Sequence, residues 1–379
     1  MIDERLALIA LLAGVMACGS TRALERMEDP DPVGSPGDDS YAKCYEKELA
    51  ELPELLCELT GPPVETIGAV LVYSDDFSGA APDPSKWILS KGYRGHGTIL
   101  NSTSPENAKV GDGVLSIVTD RSDADPLHPF VSGYLDSLGR FARTYGRIEF
   151  RARFPYVPGV WFALWGRPWS GPFPELDIEV LNSVHNPRSE LYFVNHWAAP
   201  PLPAAERRTF AKIDDVDLTA FHEYAIEWKP SSLEFSLDGV TKLRADPRGI
   251  PKVPVYWTIN AWVGGWAGPP TKESPLPTTF QVDHMKVYRV DGLLADPEVI
   301  VPTARPSYSQ TRDIDVAVAN FDESCAHVTM YDGGKMRRTT STAPYRFPVS
   351  QLVRGPHTLR FVATDGVRSA ETTLAITVE

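Results

Sequence analysis

Pro174-Glu-Leu-Asp-Ile-Glu-Val-Leu181 places an acid at every second position, Glu175, Asp177 and Glu179, with an apolar residue after each. Such alternation predicts a half-buried β-strand. Successive side chains of a strand point to opposite faces, so the three carboxyls share one face while Leu176, Ile178 and Val180 enter a core. Three like charges side by side repel one another, and folding gains nothing from them. Alone, the face would read as a solvated acidic surface. The residues upstream argue otherwise: Trp161-Phe-Ala-Leu-Trp165, then Trp169 and Phe173, crowd aromatic faces around the acids, as a sugar-binding cleft requires.

The chain has 379 residues, enough for one large domain plus a small one, or for two to three ordinary ones. Hydrophobic residues at 42% and charged residues at 23% are usual for a folded soluble protein and exclude global disorder. A net charge of −13 without a basic cluster argues against nucleic acid or an anionic membrane surface as partner, and leaves neutral polysaccharide compatible.

Residues Leu6 to Ala17 form an apolar stretch too short to span a bilayer and suited to an export signal. Val15-Met-Ala-Cys18 then resembles a bacterial lipobox, in which Cys18 is acylated and becomes the mature N-terminus. Met16 and the two acids before Leu6 depart from that pattern, and ordinary signal cleavage is the alternative. The expected location is extracellular or on a bacterial cell envelope, with the lipid on Cys18 as the sole membrane contact. In an oxidising compartment Cys44 and Cys57 can pair locally, leaving Cys325 over. Neither CxxC pairs nor a His/Cys cluster indicates zinc, so no cofactor is expected, and the sequence does not indicate a structural calcium.

The organisation reads as residues 1–17 signal, 18–66 an acidic Pro/Gly-rich tether with a short helical Cys44/Cys57 segment, 67–292 a domain of short strands, 293–306 a linker and 307–379 a small β-sandwich. Strand patterns such as Gly113–Thr119, Gly146–Arg153, Glu223–Trp228 and Met285–Val290 recur through the middle domain. Many short strands over some 220 residues predict an all-β protein with a two-sheet jelly roll, in which one sheet curves to form a cleft. The last seventy or so residues resemble the immunoglobulin-like modules attached to secreted enzymes.

The middle domain resembles glycoside hydrolase family 16, the clan of laminarinases, lichenases and xyloglucan transglycosylases with a concanavalin A-like jelly roll. Glu175-Leu-Asp-Ile-Glu179 matches that family's Glu-x-Asp-x-Glu. Support follows in the family's order: Asp83-Pro-Ser-Lys-Trp87, Glu106-Asn107, Tyr145–Arg153, Phe221–Trp228, Leu237-Asp-Gly239, Asn260-Ala-Trp-Val-Gly-Gly265 and Val282-Asp283. The resemblance implies a retaining glycosidase with Glu175 as nucleophile, Glu179 as general acid and then base, and Asp177 hydrogen-bonded to Glu175. Four strand steps put the Cα atoms of Glu175 and Glu179 about 13 Å apart, while a retaining pair needs its carboxyls ~5 to 5.5 Å apart, so both side chains must lean inward over Asp177. One carboxyl must rest ionised and the other protonated, and neighbouring negative charge raises a pKa.

Further candidates carry alternatives. Trp161 and Trp165 either stack on sugar rings or fill the core. Trp262 is a subsite candidate because the adjacent glycines allow a ligand close to the backbone. His196 resembles the histidine near the acid/base of this family, and Asn107 matches a subsite residue of laminarinase-like members, with a turn role as its alternative. Asp283 is assigned to backbone amides. Asn101-Ser-Thr103 fits a glycosylation acceptor by chance, since a lipobox implies bacteria. The expectation is a monomeric endo-acting hydrolase of a β-glucan with 1,3 or mixed 1,3;1,4 linkages. The regular acidic spacing is that of lichenases and transglycosylases, whereas the flanks look laminarinase-like. Transglycosylation, another β-linked polymer such as xyloglucan or galactan, and a non-catalytic glucan-binding protein are the alternatives; the last is expected to lack one or both of the glutamates, and both are present.

Overall fold

The computed structural model describes residues 69–95, 97–199, 205–290, 295–321, 326–341, 343–364 and 368–379. The export stretch, the tether, and Cys18, Cys44, Cys57 and Cys325 all lie outside these residues.

The strand patterns of the middle domain assemble into two facing sheets. The larger has eleven strands, and its path runs through Val240–Arg244, Leu233–Leu237, His222–Trp228, Gly146–Arg153, Thr278–Val290, Val114–Arg121, Phe130–Ser132, Asn101–Thr103 and Gly92–Tyr93. Ala69–Asp75 and Ala108–Gly111 pair alongside this path. The smaller has seven strands in the order Ala205–Ile213, Glu190–Ala199, Glu175–Asn182, Val160–Arg167, Tyr256–Val263, Tyr134–Asp136 and Ile88–Leu89. Helix among the described residues is confined to short 3₁₀ turns, and none is long and apolar enough to cross a membrane.

The core lies between the sheets. Leu176, Ile178 and Val180 are fully buried there with Phe162 and Leu164, as the alternation predicts. Rings from opposite sheets meet: Phe162 lies 5.2 Å from Phe280, and Phe150 lies 5.8 Å from Trp257. Each such side chain withdrawn from water contributes ~1.5 to 3 kcal/mol, so the apolar face of the acidic strand anchors its carboxyl face outward.

Residues 298–378 form a second, smaller pair of sheets. Five strands run in the order Ser307–Tyr308, Ser369–Val378, Gly355–Thr364, His327–Asp332 and Lys335–Thr340, and three in the order Glu298–Ile300, Asp313–Ala319 and Tyr345–Pro348. Val316, Val328, Phe347, Leu359 and Phe361 fill their shared core. The expected linker 293–306 is therefore not all connection. Its Glu298–Ile300 segment pairs with Ala317–Ala319, a short edge strand that Pro297 and Pro302 disguise in the sequence.

This sandwich is hydrogen-bonded to the jelly roll through Asn320. The Thr144 amide donates to its Oδ1 at 2.8 Å, its own amide donates to the Ala142 carbonyl at 3.3 Å, and its Nδ2 donates to the Asp296 carbonyl at 2.8 Å. Ala319 shares a buried apolar cluster with Ala142 and Tyr256, against which Leu138 and Trp169 pack.

Candidate active site

The outward face of the seven-stranded sheet is read from its register. Glu179 stands between Tyr192 and Ala163, and Ala163 is followed across the sheet by Asn260 and Tyr134. Asp177 stands between Val194 and Trp165, followed by Thr258 and Asp136. Glu175 pairs with His196, and on its other side Arg167 continues the row to Tyr256. Pairing along Glu175–Leu181 shows no slip on either neighbour, so the acidic strand carries no bulge and its three acids share one face.

Asp177 is 2% exposed and His196 is 6% exposed, with His196 Nε2 3.4 Å from Asp177 Oδ2. Glu175, Asp177 and His196 each bring one donor atom within 4.8 Å of the others. Two carboxyls and an imidazole at that spacing would also suit a divalent cation; Glu179 stands outside this trio. Phe173, at 6.4 Å, stacks on the His196 ring. Glu175 and Glu179 are half-buried, while the acid between them is covered.

Burial raises the Glu179 pKa from its ordinary 4.5 to about 7. The Glu175 charge adds to that rise, while His196 and Arg208 oppose it. At neutral pH a large share of Glu179 is therefore protonated. A carboxyl that holds its proton near neutral pH is what general acid catalysis requires.

Trp161 and Trp165 lie on the acids' face but are largely covered. Trp161 packs 4.9 Å from Trp266, and Trp165 Nε1 donates to Asn260 Oδ1 at 2.7 Å. They build the floor. Trp262 is more open, pairs with Trp161 across the sheet and sits 5.7 Å from Tyr134. The glycines beside it serve the chain itself, contrary to the expectation that they admit a ligand. Gly264 has φ 83°, and a Cβ there would meet the Thr98 carbonyl oxygen at 2.7 Å, because Ile99 bridges to Gly264. Asn107 Nδ2 donates to the Val118 carbonyl at 3.0 Å in the eleven-stranded sheet, a bond that fits the structural alternative. Asp283 pairs with side chains, Arg151 at 2.5 Å and His284 at 2.7 Å, where backbone amides were expected. Asn101 is fully buried, its Oδ1 accepting from the Val263 amide and its Nδ2 donating to the Ala261 carbonyl, so the match Asn101-Ser-Thr103 presents no acceptor nitrogen.

Asn260, Tyr134, Arg167 and Trp266 escaped the sequence reading. Period two supplies the missing signal for two of them: Asn260 precedes Trp262 by two residues, and Arg167 follows Trp165 by two.

A two-sheet jelly roll with three acids on one strand face, one of them holding its proton to about pH 7, among aromatic rings, fits the class of glycoside-cleaving enzymes. A family model described as Glycosyl hydrolases family 16 matches residues 99–286. A beta-glucanase of Rhodothermus marinus is 32% identical over 244 residues, spanning 58% of this chain and 85% of that one. The chain belongs to glycosyl hydrolase family 16 and is a glycoside hydrolase. An endo-1,3-1,4-beta-glycanase of Rhizobium meliloti is 28% identical over 220 residues, 55% of this chain and 44% of its own, so the chain spans under half the length of that relative. The X-ray structure of the laminarinase from Rhodothermus marinus superposes with a TM-score of 0.51 at 32% identity, covering 58% of this chain and 97% of that one.

Proposed function

We propose that the protein is a retaining endo-glycosidase of a β-glucan with 1,3 or mixed 1,3;1,4 linkages. The relatives' names, beta-glucanase, endo-1,3-1,4-beta-glycanase and laminarinase, support the substrate class. The observation that supports the mechanism is Glu179 raised to about 7 on the same strand face as Glu175.

In this reading Glu175, ionised, attacks the anomeric carbon while Glu179 delivers its proton to the departing glycosidic oxygen. The C–O bond to the leaving sugar breaks as the ester bond to Glu175 forms. Glu179, now a carboxylate, takes a proton from water, whose oxygen displaces Glu175 from the same carbon. Two inversions give net retention. Asp177 and His196, covered and adjacent, orient Glu175, and Trp262 offers a face to a sugar ring. Attachment to the cell envelope through Cys18, a monomeric state and an immunoglobulin-like identity for the C-terminal sandwich belong to the same proposal. Incorporation of labelled fatty acid, lost on Cys18→Ala, tests the first.

Incubation with laminarin, lichenan, xyloglucan and agarose, followed by analysis of released oligosaccharides, tests the activity. Laminarin or lichenan is expected to yield products whose first-formed reducing ends are β by NMR. Glu175→Gln is expected to lower the rate by roughly a thousandfold or more. Products released equally by Glu175→Gln, or α-configured first products, would overturn the mechanism.

A further inference from the structure

Arg167 is a cation that the hydrolytic steps leave without a task. It ends the strand Val160–Arg167 where Glu175 begins the strand Glu175–Asn182, and the pairing of Gly166 with Leu176 puts the two opposite one another. Residues so placed carry their Cβ atoms ~4.5 to 5.5 Å apart. The guanidinium lies 5.2 Å over the Trp165 ring and 5.9 Å from that of Tyr256, and its Nε donates to the Tyr256 hydroxyl at 2.7 Å. Trp165 is held in turn by its bond to Asn260. Two aromatic faces and one hydrogen bond thus fix the plane of the fork beside Glu175. Burial works against the Arg167 charge, and Tyr256, Tyr134 and Glu175 together outweigh it.

Glu175 stands among groups that pull its proton both ways. Asp177 and Glu179 share its strand face, and His196 faces it from the next strand. His196 is charged only when protonated, and its Nε2 lies 3.4 Å from Asp177 Oδ2. Arg208, opposite His196, acts on Glu179. Arg167 brings to Glu175 a charge that does not vary over the working range of pH. On its far side burial pushes the Asp136 carboxyl up, and Arg94, Arg167 and Arg140 all act against that rise, so Arg167 is one of three cations there.

We propose that Arg167 is a positioning residue for the nucleophile: set by Trp165 and Tyr256, its guanidinium keeps the Glu175 carboxyl ionised and aimed for attack. The inference rests on Glu175 being the nucleophile of the proposed function and supplies the counterpart to the proton kept on Glu179.

Carboxyl-¹³C NMR of glutamate-labelled protein tests it without substrate, with Glu175 assigned from the signal lost in Glu175→Gln. The Glu175 titration midpoint is expected to rise by about one pH unit in Arg167→Gln and to stay near the parent's in Arg167→Lys, which restores the charge without the fork. On laminarin the acid limb of kcat/KM is expected to move in the same way. At pH 6, kcat/KM is expected to fall roughly tenfold in Arg167→Gln, and Arg167→Lys is expected to restore the limb but not the full rate, since the aim is lost. A midpoint and limb of Arg167→Gln that coincide with the parent's, or a lysine variant displaced as far as the glutamine one, overturns the role. Should Arg167→Gln not fold, Tyr256→Phe, which keeps the ring and frees the fork, is expected to lower kcat/KM severalfold with the acid limb in place, and an unchanged kcat/KM then overturns it. Should the parent cut no glucan, the hydrolase reading fails, while the NMR midpoints still decide whether Arg167 holds the charge on Glu175.

Discussion

Glu179→Gln is expected to abolish activity and to stabilise the protein at alkaline pH. Folding lifts the Glu179 pKa from 4.5 to about 7, so between those values the folded state binds a proton that the unfolded state has released. Stability contributed by this group is complete below the unfolded value and is lost as pH rises through the folded one. Above pH 7 the folded chain carries a carboxylate in surroundings that disfavour its charge, at a penalty of about 3 kcal/mol from the span of the two pKa values. Glutamine has the same shape and no charge to bury. Urea unfolding of both proteins at pH 4 and pH 8 measures the difference. The variant is expected to gain up to ~3 kcal/mol at pH 8 and about nothing at pH 4, where both carry a neutral side chain. Equal stabilities at pH 8, or a variant less stable there than the parent, would refute burial as the source of the raised pKa. Because Glu175 and His196 act on the same proton, the measured midpoint belongs to the group of three.

The proton on Glu179 also sets a rate limb, since kcat/KM is expected to fall above about pH 7 as the free enzyme loses its acid, read from the initial rate of reducing-end release on laminarin between pH 5 and 9. Asn260→Ala removes the acceptor of the Trp165 indole N–H and is expected to lower kcat/KM by roughly tenfold, whereas Asn260→Asp keeps an acceptor oxygen and retains most of the rate. Asn320→Ala strands the Thr144 amide and forces alanine to a φ of 62°, together about 2 to 3 kcal/mol in urea unfolding. Asn320→Gly relieves the backbone part alone, so it should fall between the two.

What the sequence shows of this site is what period two can show. Glu175, Asp177 and Glu179 could be set on one face because Leu176, Ile178 and Val180 occupy the other, and the ordered motifs around them carried the family resemblance. Which residues stand beside the acids is a matter of register between strands far apart in the chain, and nothing local encodes it. Hence Arg167 beside Glu175 and the bond from Trp165 to Asn260 were invisible. The bond from Asn107 to the Val118 carbonyl, eleven residues on, is likewise a product of strand pairing that the local sequence does not display. The glycines after Trp262 looked permissive for ligand, whereas the crossing of Ile99 needs them. Glu298–Ile300 was hidden because three residues between prolines carry too short a pattern to announce a strand.

The junction at Asn320 makes the two β-sandwiches one mechanical object. Tyr256 belongs to both: its ring lies in the buried cluster with Ala319, and its hydroxyl receives Arg167, the neighbour of Glu175. A shortened chain ending before residue 298 would therefore lose more than an appendage. It would uncover Tyr256, whose hydroxyl accepts from Arg167 on the row of Glu175, so loss of the far module would reach the surroundings of the acids.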